Sequence, residues 1–149
     1  MRTVKVIFIV FLLLLFSACS STRRGSISSA NIPTAKAGGL LADIHFDFDK
    51  YNIRSTDASL LRQNASWLTE NSDANIEIEG HCDERGTNEY NMALGMKRAK
   101  AAYDFLHTLG IGSERMRVIS YGEDLPLDRE HNEAAWAKNR RAHFRILDE

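Results

Sequence analysis

Long apolar runs are scarce in this chain. The longest, VIFIVFLLLLF at 6–16, has eleven residues, too few for a bilayer-crossing helix, which takes about 20. A basic surplus is missing as well: 19 lysines and arginines face 20 aspartates and glutamates. That balance argues against a general binder of nucleic acid, whose phosphate contacts need an excess of positive charge. Cysteine is limited to positions 19 and 82, and no second cluster at zinc-like spacing accompanies either one, so no metal site is expected. No paired catalytic carboxylates, no Ser/His/Asp set and no thiol with a marked base stand out; no catalytic residue and no cofactor is expected. There is no internal repeat, and the length favours one compact domain once non-globular ends are set aside.

What the start of the chain does have is a targeting pattern. Arg2 and Lys5 precede the apolar run and SAC follows at 17–19, the succession of a secretory signal. FSAC is similar to a bacterial lipobox, in which the peptide is cut before a cysteine that then carries lipid; Phe16 stands where Leu is usual. The expectation is a signal peptide at 1–18 and lipidation of Cys19, with Ser20 (not Asp) implying the outer membrane. Loss of Arg2 and Lys5 leaves 17 of the 19 basic residues against 20 acidic ones. Cys82 is then without a disulfide partner, so stability must come from a core. Residues 19–40 are rich in Ser, Ala, Gly and Thr without apolar periodicity and read as a flexible tether. Fully extended, it would span roughly 70 Å.

The domain proper is expected at 41–149. DIHFDF (43–48) alternates Ile44, Phe46 and Phe48 with polar residues, the period of a strand. Ser55, Thr56 and Asp57 offer N-cap chemistry for a helix over 55–71. ANIEIEG (74–80) is a second strand and 89–109 the longest helix, ended by Gly110. RMRVISYG (115–122), a short helical piece at 133–138 and RAHFRIL (141–147) follow. The order β-α-β-α-β-β predicts an α/β fold of the α+β sandwich kind, with helices packed on a four-stranded sheet.

The loop GHCDERGTNEYN (80–91) concentrates the polar chemistry. It lies at the carboxyl end of a strand, where open α/β sheets place ligands. In the following helix Leu94, Ala101, Ala102, Phe105 and Leu109 share a face by spacing, and Arg98 falls in the middle of that stripe, with Asn91 on the same side. A guanidinium there is costly unless it is paired or opens to a pocket. Asp83 with Arg98 fits a zwitterion, ammonium to one and carboxylate to the other. An internal Asp83–Arg98 salt bridge that staples the loop fits the same residues equally well. Cys82 reads as a small, partly buried residue, Glu84 and Arg85 as loop charges, and Gly86 as the turn.

GHCDERGTNEYNMALGMKRAKAAYDFLHTLGI (80–111), with IHFDFDKYNIR (44–54), ISYGEDLP (119–126) and NRRAHFRI (139–146), resembles the OmpA-like C-terminal domain family, and within it the branch of peptidoglycan-associated lipoproteins. The resemblance covers essentially all of 41–149 and implies the mixed sheet of that family. It also implies non-covalent binding of peptidoglycan through meso-diaminopimelate of the stem peptide, with Asp83 taking the ammonium and Arg98 the carboxylate. Asn91, Leu94, Phe48 and Asp49 match positions lining the same pocket. Lys97 stands where many members carry the first of two arginines. Further implications are an outer-membrane lipoprotein facing the periplasm, TolB and the other Tol–Pal components as partners, and a role in envelope integrity and constriction. A wall-binding lipoprotein outside Tol–Pal is a second reading, and a peptidoglycan hydrolase a third.

Overall fold

A computed structural model of the chain describes residues 40–147. The elements in order are β1 (Ile44–His45), α1 (Ser55–Glu70), β2 (Asn75–His81), α2 (Asn88–Thr108), a 3-10 turn (Ser113–Arg115), β3 (Met116–Gly122), α3 (Glu133–Asn139) and β4 (Arg141–Leu147). The expected 1–18 and 19–40 segments, Cys19 included, lie outside the described residues apart from position 40. The sheet runs β1-β4-β2-β3. β2 and β3 are parallel, while β4 is antiparallel to both β1 and β2. The α/β reading with a mixed four-stranded sheet holds.

Alternation in β2 explains the layering. Ile76 and Ile78 point into the core with Phe144, Met116, Leu61, Leu68, Ala102 and Leu106. Glu77 and Glu79 take the other face, where Arg145 donates to both and Arg117 pairs with Glu77 at 2.7 Å. Carboxylates so nearly buried are tolerable because they are paired.

Three expectations shift. The first strand is two residues long, not six. Phe46 still donates its N–H to Arg140 O (2.9 Å), but the chain then leaves the sheet in a turn, with Lys50 N–H on Asp47 O and Asp49 at φ 56°. The N-cap of α1 is Arg54, and no side chain caps it. Asp57 is instead buried and accepts from His45 N–H (2.8 Å), Arg54 Nε (2.6 Å) and Thr56 Oγ1 (2.9 Å), tying β1 to α1.

The third shift concerns α2. It is capped by Thr87, whose hydroxyl accepts from Tyr90 N–H, and it ends at Gly110 with φ 93°. Its buried face is Asn91, Leu94, Gly95, Arg98, Ala99, Ala102 and Leu106, while Leu109 is 41% exposed. The face is turned because two glycines let main chain meet main chain. A Cβ on Gly80 of β2 would lie 1.8 Å from Gly95 O. This contact sets how closely the start of α2 approaches the end of β2, and therefore where the loop between them can stand.

Candidate functional site

Two segments leave the sheet at the carboxyl end of β2: the turn after β1 and the loop 82–87 before α2. Between them and α2 lies a cleft of about 210 Å³ lined by Phe48, Asp49, Cys82, Asp83, Arg85, Gly86, Tyr90, Asn91, Leu94 and Arg98. All six of the expected ligand-binding residues, Asp83, Arg98, Asn91, Leu94, Phe48 and Asp49, therefore border one cavity.

Arg98 is 1% exposed. Its guanidinium donates to Lys50 O (Nε, 2.9 Å), to Asp47 O (Nη2, 3.1 Å), and to His81 O and Cys82 Sγ (Nη1, 2.8 and 3.4 Å). It thus pins the β1 turn to the end of β2. Among the described residues no carboxylate forms an ion pair with it, and burial pushes its pKa down. A buried cation hydrogen-bonded to carbonyls and a thiol, with the Phe46 ring centroid 5.2 Å from its guanidinium carbon, is poorly compensated without a carboxylate.

Asp83 does not pair with Arg98. Its carboxylate accepts from Arg85 (backbone N–H 3.1 Å, Nε 3.1 Å, Nη2 2.8 Å) and from Arg140 Nη1 (3.1 Å). Burial works to raise its pKa, yet the hydrogen bonds from Arg85 and Arg140 hold the carboxyl below its ordinary value. Arg140 is itself fixed by Phe46 O and by Glu133. Of the two partners, Arg85 is the more accessible.

Arg85 is therefore no solvated loop charge. Its guanidinium carbon sits 4.0 Å from the Phe48 ring centroid and 4.2 Å from that of Trp136. Glu84 is likewise engaged, accepting from Trp136 Nε1 and meeting His131. Gly86 is the turn residue expected, at φ 117°. Asn91 donates to Asp83 O, Arg85 O and the Glu123 carboxylate, so it fixes the loop's path. The Tyr90 hydroxyl donates to Asp49, joining α2 to the β1 turn across the mouth. Cys82 is buried, and burial raises its pKa to about 11, which leaves it a thiol and a poor nucleophile at neutral pH.

A larger, more open depression of about 560 Å³ adjoins the cleft and shares Cys82. It is lined mainly by loop residues around Asp124–His131. The smaller cleft is the stronger candidate because buried charges of both signs meet there. Sequence reasoning missed Arg85, Arg140 and Tyr90. The NRR run before β4 was a signal, but nothing in it points to a carboxylate 57 positions away.

Over residues 45–140 the sequence matches the OmpA family. The chain belongs to the OmpA family. Curated relatives include the peptidoglycan-associated lipoprotein of Mesorhizobium japonicum, 46% identical over 99 residues that make up 66% of this chain and 59% of that protein. The chain thus spans about three-fifths of that relative's length. The protein of the same name from Haemophilus influenzae is 36% identical over 148 residues, 95% of this chain and 96% of the relative. Among solved structures, the Burkholderia pseudomallei peptidoglycan-associated lipoprotein superposes with a TM-score of 0.68 at 43% identity, over 70% of this chain and 89% of that one. The C-terminal domain of Helicobacter pylori MotB gives 0.66 at 16% identity, over 73% and 86%, and speaks for the OmpA-like fold alone.

Proposed function

We propose that this protein is a lipoprotein, anchored in the outer membrane through Cys19, whose domain at 41–149 binds peptidoglycan non-covalently from the periplasmic side. Residues 19–40 supply the reach between the two surfaces. The ligand is the meso-diaminopimelate of the stem peptide: its ammonium is recognised by Asp83 and its carboxylate by the positive end of the cleft at Arg98. Asn91, Leu94, Phe48 and Asp49 shape the walls. The protein tethers and does not catalyse, and it works within the Tol–Pal system with TolB as partner, in envelope integrity and constriction.

One observation carries this reading. Arg98 is a buried guanidinium without a carboxylate partner among the described residues, beside a cleft whose other charged wall is Asp83. A ligand bearing both charges on one carbon offers Arg98 the carboxylate it lacks and Asp83 an ammonium in place of a guanidinium. The names of the relatives agree with it. Modest affinity per site suffices, because many copies held between two surfaces act at high effective concentration.

Calorimetric titration of the mature chain in detergent tests it, with stem peptides carrying meso-diaminopimelate, its amidated form, or lysine. Binding confined to the first supports the reading. Equal binding of all three, or none, overturns it. Co-purification with TolB tests the Tol–Pal assignment separately.

A further inference from the structure

The cleft's acidic wall is already occupied. Asp83 accepts three hydrogen bonds from Arg85 and one from Arg140, so an incoming ammonium finds no free carboxylate and must displace a guanidinium. Arg140 is the unsuitable one to move: its side chain is 8% exposed and is also held by Phe46 O and Glu133. Arg85 is suited. Its side chain is 31% exposed, it lies in the cleft wall, and a second carboxylate, Glu133, already stands 3.6 Å from its Nη2. Its guanidinium carbon lies 4.0 Å from the Phe48 ring centroid and 4.2 Å from that of Trp136, contacts that do not depend on the pair with Asp83.

We infer that Arg85 is the specificity-determining residue of the cleft, a gate that occupies the ammonium position at Asp83 and yields it only to a ligand that brings its own carboxylate. This rests on the wall-binding reading above and adds to it. A ligand with a bare ammonium, such as a lysine side chain, strips Arg85 from Asp83 and returns only what Glu133 offers at the solvent edge. A ligand with ammonium and carboxylate on one carbon brings a carboxylate into the cleft that Arg85 and Arg98 both line, so that while it faces Arg98 it also gives the displaced Arg85 guanidinium a new partner. Discrimination thus comes from a penalty on the wrong ligand as well as from contacts to the right one. Arg98, locked by three carbonyls, cannot impose that penalty, because it does not touch Asp83.

The test compares wild type, Arg85→Gln and Arg85→Lys by calorimetry, as mature chains in detergent, with stem peptides ending in lysine or carrying meso-diaminopimelate. Circular dichroism melting serves as the folding control. In Arg85→Gln the lysine peptide is expected to gain about tenfold in affinity, which corresponds to about 1.4 kcal/mol, while the diaminopimelate peptide gains less or loses, so selectivity collapses. Arg85→Lys keeps the charge but not the fork and falls between. A folded Arg85→Gln protein with unchanged selectivity, or with weaker lysine-peptide binding, overturns the gate. Failure of wild type to bind the diaminopimelate peptide would sink the wall-binding reading instead, and the gain or absence of gain for the lysine peptide in Arg85→Gln still decides for or against the gate.

Discussion

Replacing Gly80 by alanine should cost this domain more stability than any other single-methyl addition on the sheet. The new Cβ would meet Gly95 O at 1.8 Å, Gly95 C at 2.5 Å and Gly95 Cα at 3.1 Å, all main-chain atoms that cannot rotate away. Ordinary contact begins at about 3.4 Å, so α2 must retreat by about 1.6 Å at this point. The retreat unpacks Ala99, Ala102 and Leu106 from the sheet. Overpacking costs about 1–3 kcal/mol, occasionally more, and a rigid obstacle puts this case at about 3 or above. Against a total of roughly 5–15 kcal/mol for a domain of this size, that is a large share. At about 4–8 °C per kcal/mol, the melting temperature falls by at least about 12 °C. Gly95→Ala is the companion. Its Cβ meets Ser120 Oγ at 2.3 Å, which can turn aside, and Gly80 O at 2.8 Å, which cannot. Alanine in a helix interior returns about 1 kcal/mol of propensity, so the net loss should be about 1–2 kcal/mol. Urea and thermal denaturation followed by circular dichroism measure both. A Gly80→Ala protein melting within about 3 °C of wild type, or a Gly95→Ala protein the weaker of the two, would refute the close-approach argument.

Asp83→Asn should weaken stem-peptide binding by about 2–5 kcal/mol, read by sacculus pull-down, since the ammonium loses its countercharge while Arg85 and Arg140 stay. Arg98→Ala should lose binding and stability together, by about 2–4 kcal/mol of fold, because the carbonyls of Asp47, Lys50 and His81 lose their donor; a melting curve equal to wild type would contradict this. Asp57→Ala should cost about 2–3 kcal/mol, since the half-buried His45 N–H and Arg54 lose their acceptor, and thermal melts report it. His81 is buried with neither ring nitrogen hydrogen-bonded, and burial, with Arg141 nearby, lowers its pKa to about 3 although Glu79 Oε2 stands 3.5 Å from its Nε2. A lowered histidine pKa stabilises the fold above the unfolded value of about 6.5 and loses that stabilisation as pH falls towards 3, by up to about 1.4 kcal/mol per pH unit. His45, lowered by burial, acts in the same sense, and His143, raised by its hydrogen bond to Asp43, opposes it. Urea midpoints across that range should show the decline, and His81→Phe should flatten it.

The order of the elements and most of the cleft's lining were legible in local patterns along the chain. Period-2 alternation in ANIEIE and RAHFRI is a local property, because successive side chains on a strand must face opposite ways. The glycines at 86 and 110 announce backbone conformations that other residues resist. Arg98 stood out for the same kind of reason, a charge on an apolar stripe. What was not legible is what these groups touch. Asp83 could have met Arg98, and only the approach of α2 over Gly80, with β4 brought between β1 and β2, decides that it meets Arg85 and Arg140 instead. Asp57 looked like a cap because capping is a local rule, but the packing of β1 on α1 offered its carboxylate the His45 N–H and an arginine. Spacing along the chain fixes which face a residue occupies; its partners, near or far in sequence, are chosen by how elements pack, which depends on steric fit between main chains and leaves no periodic trace in the sequence.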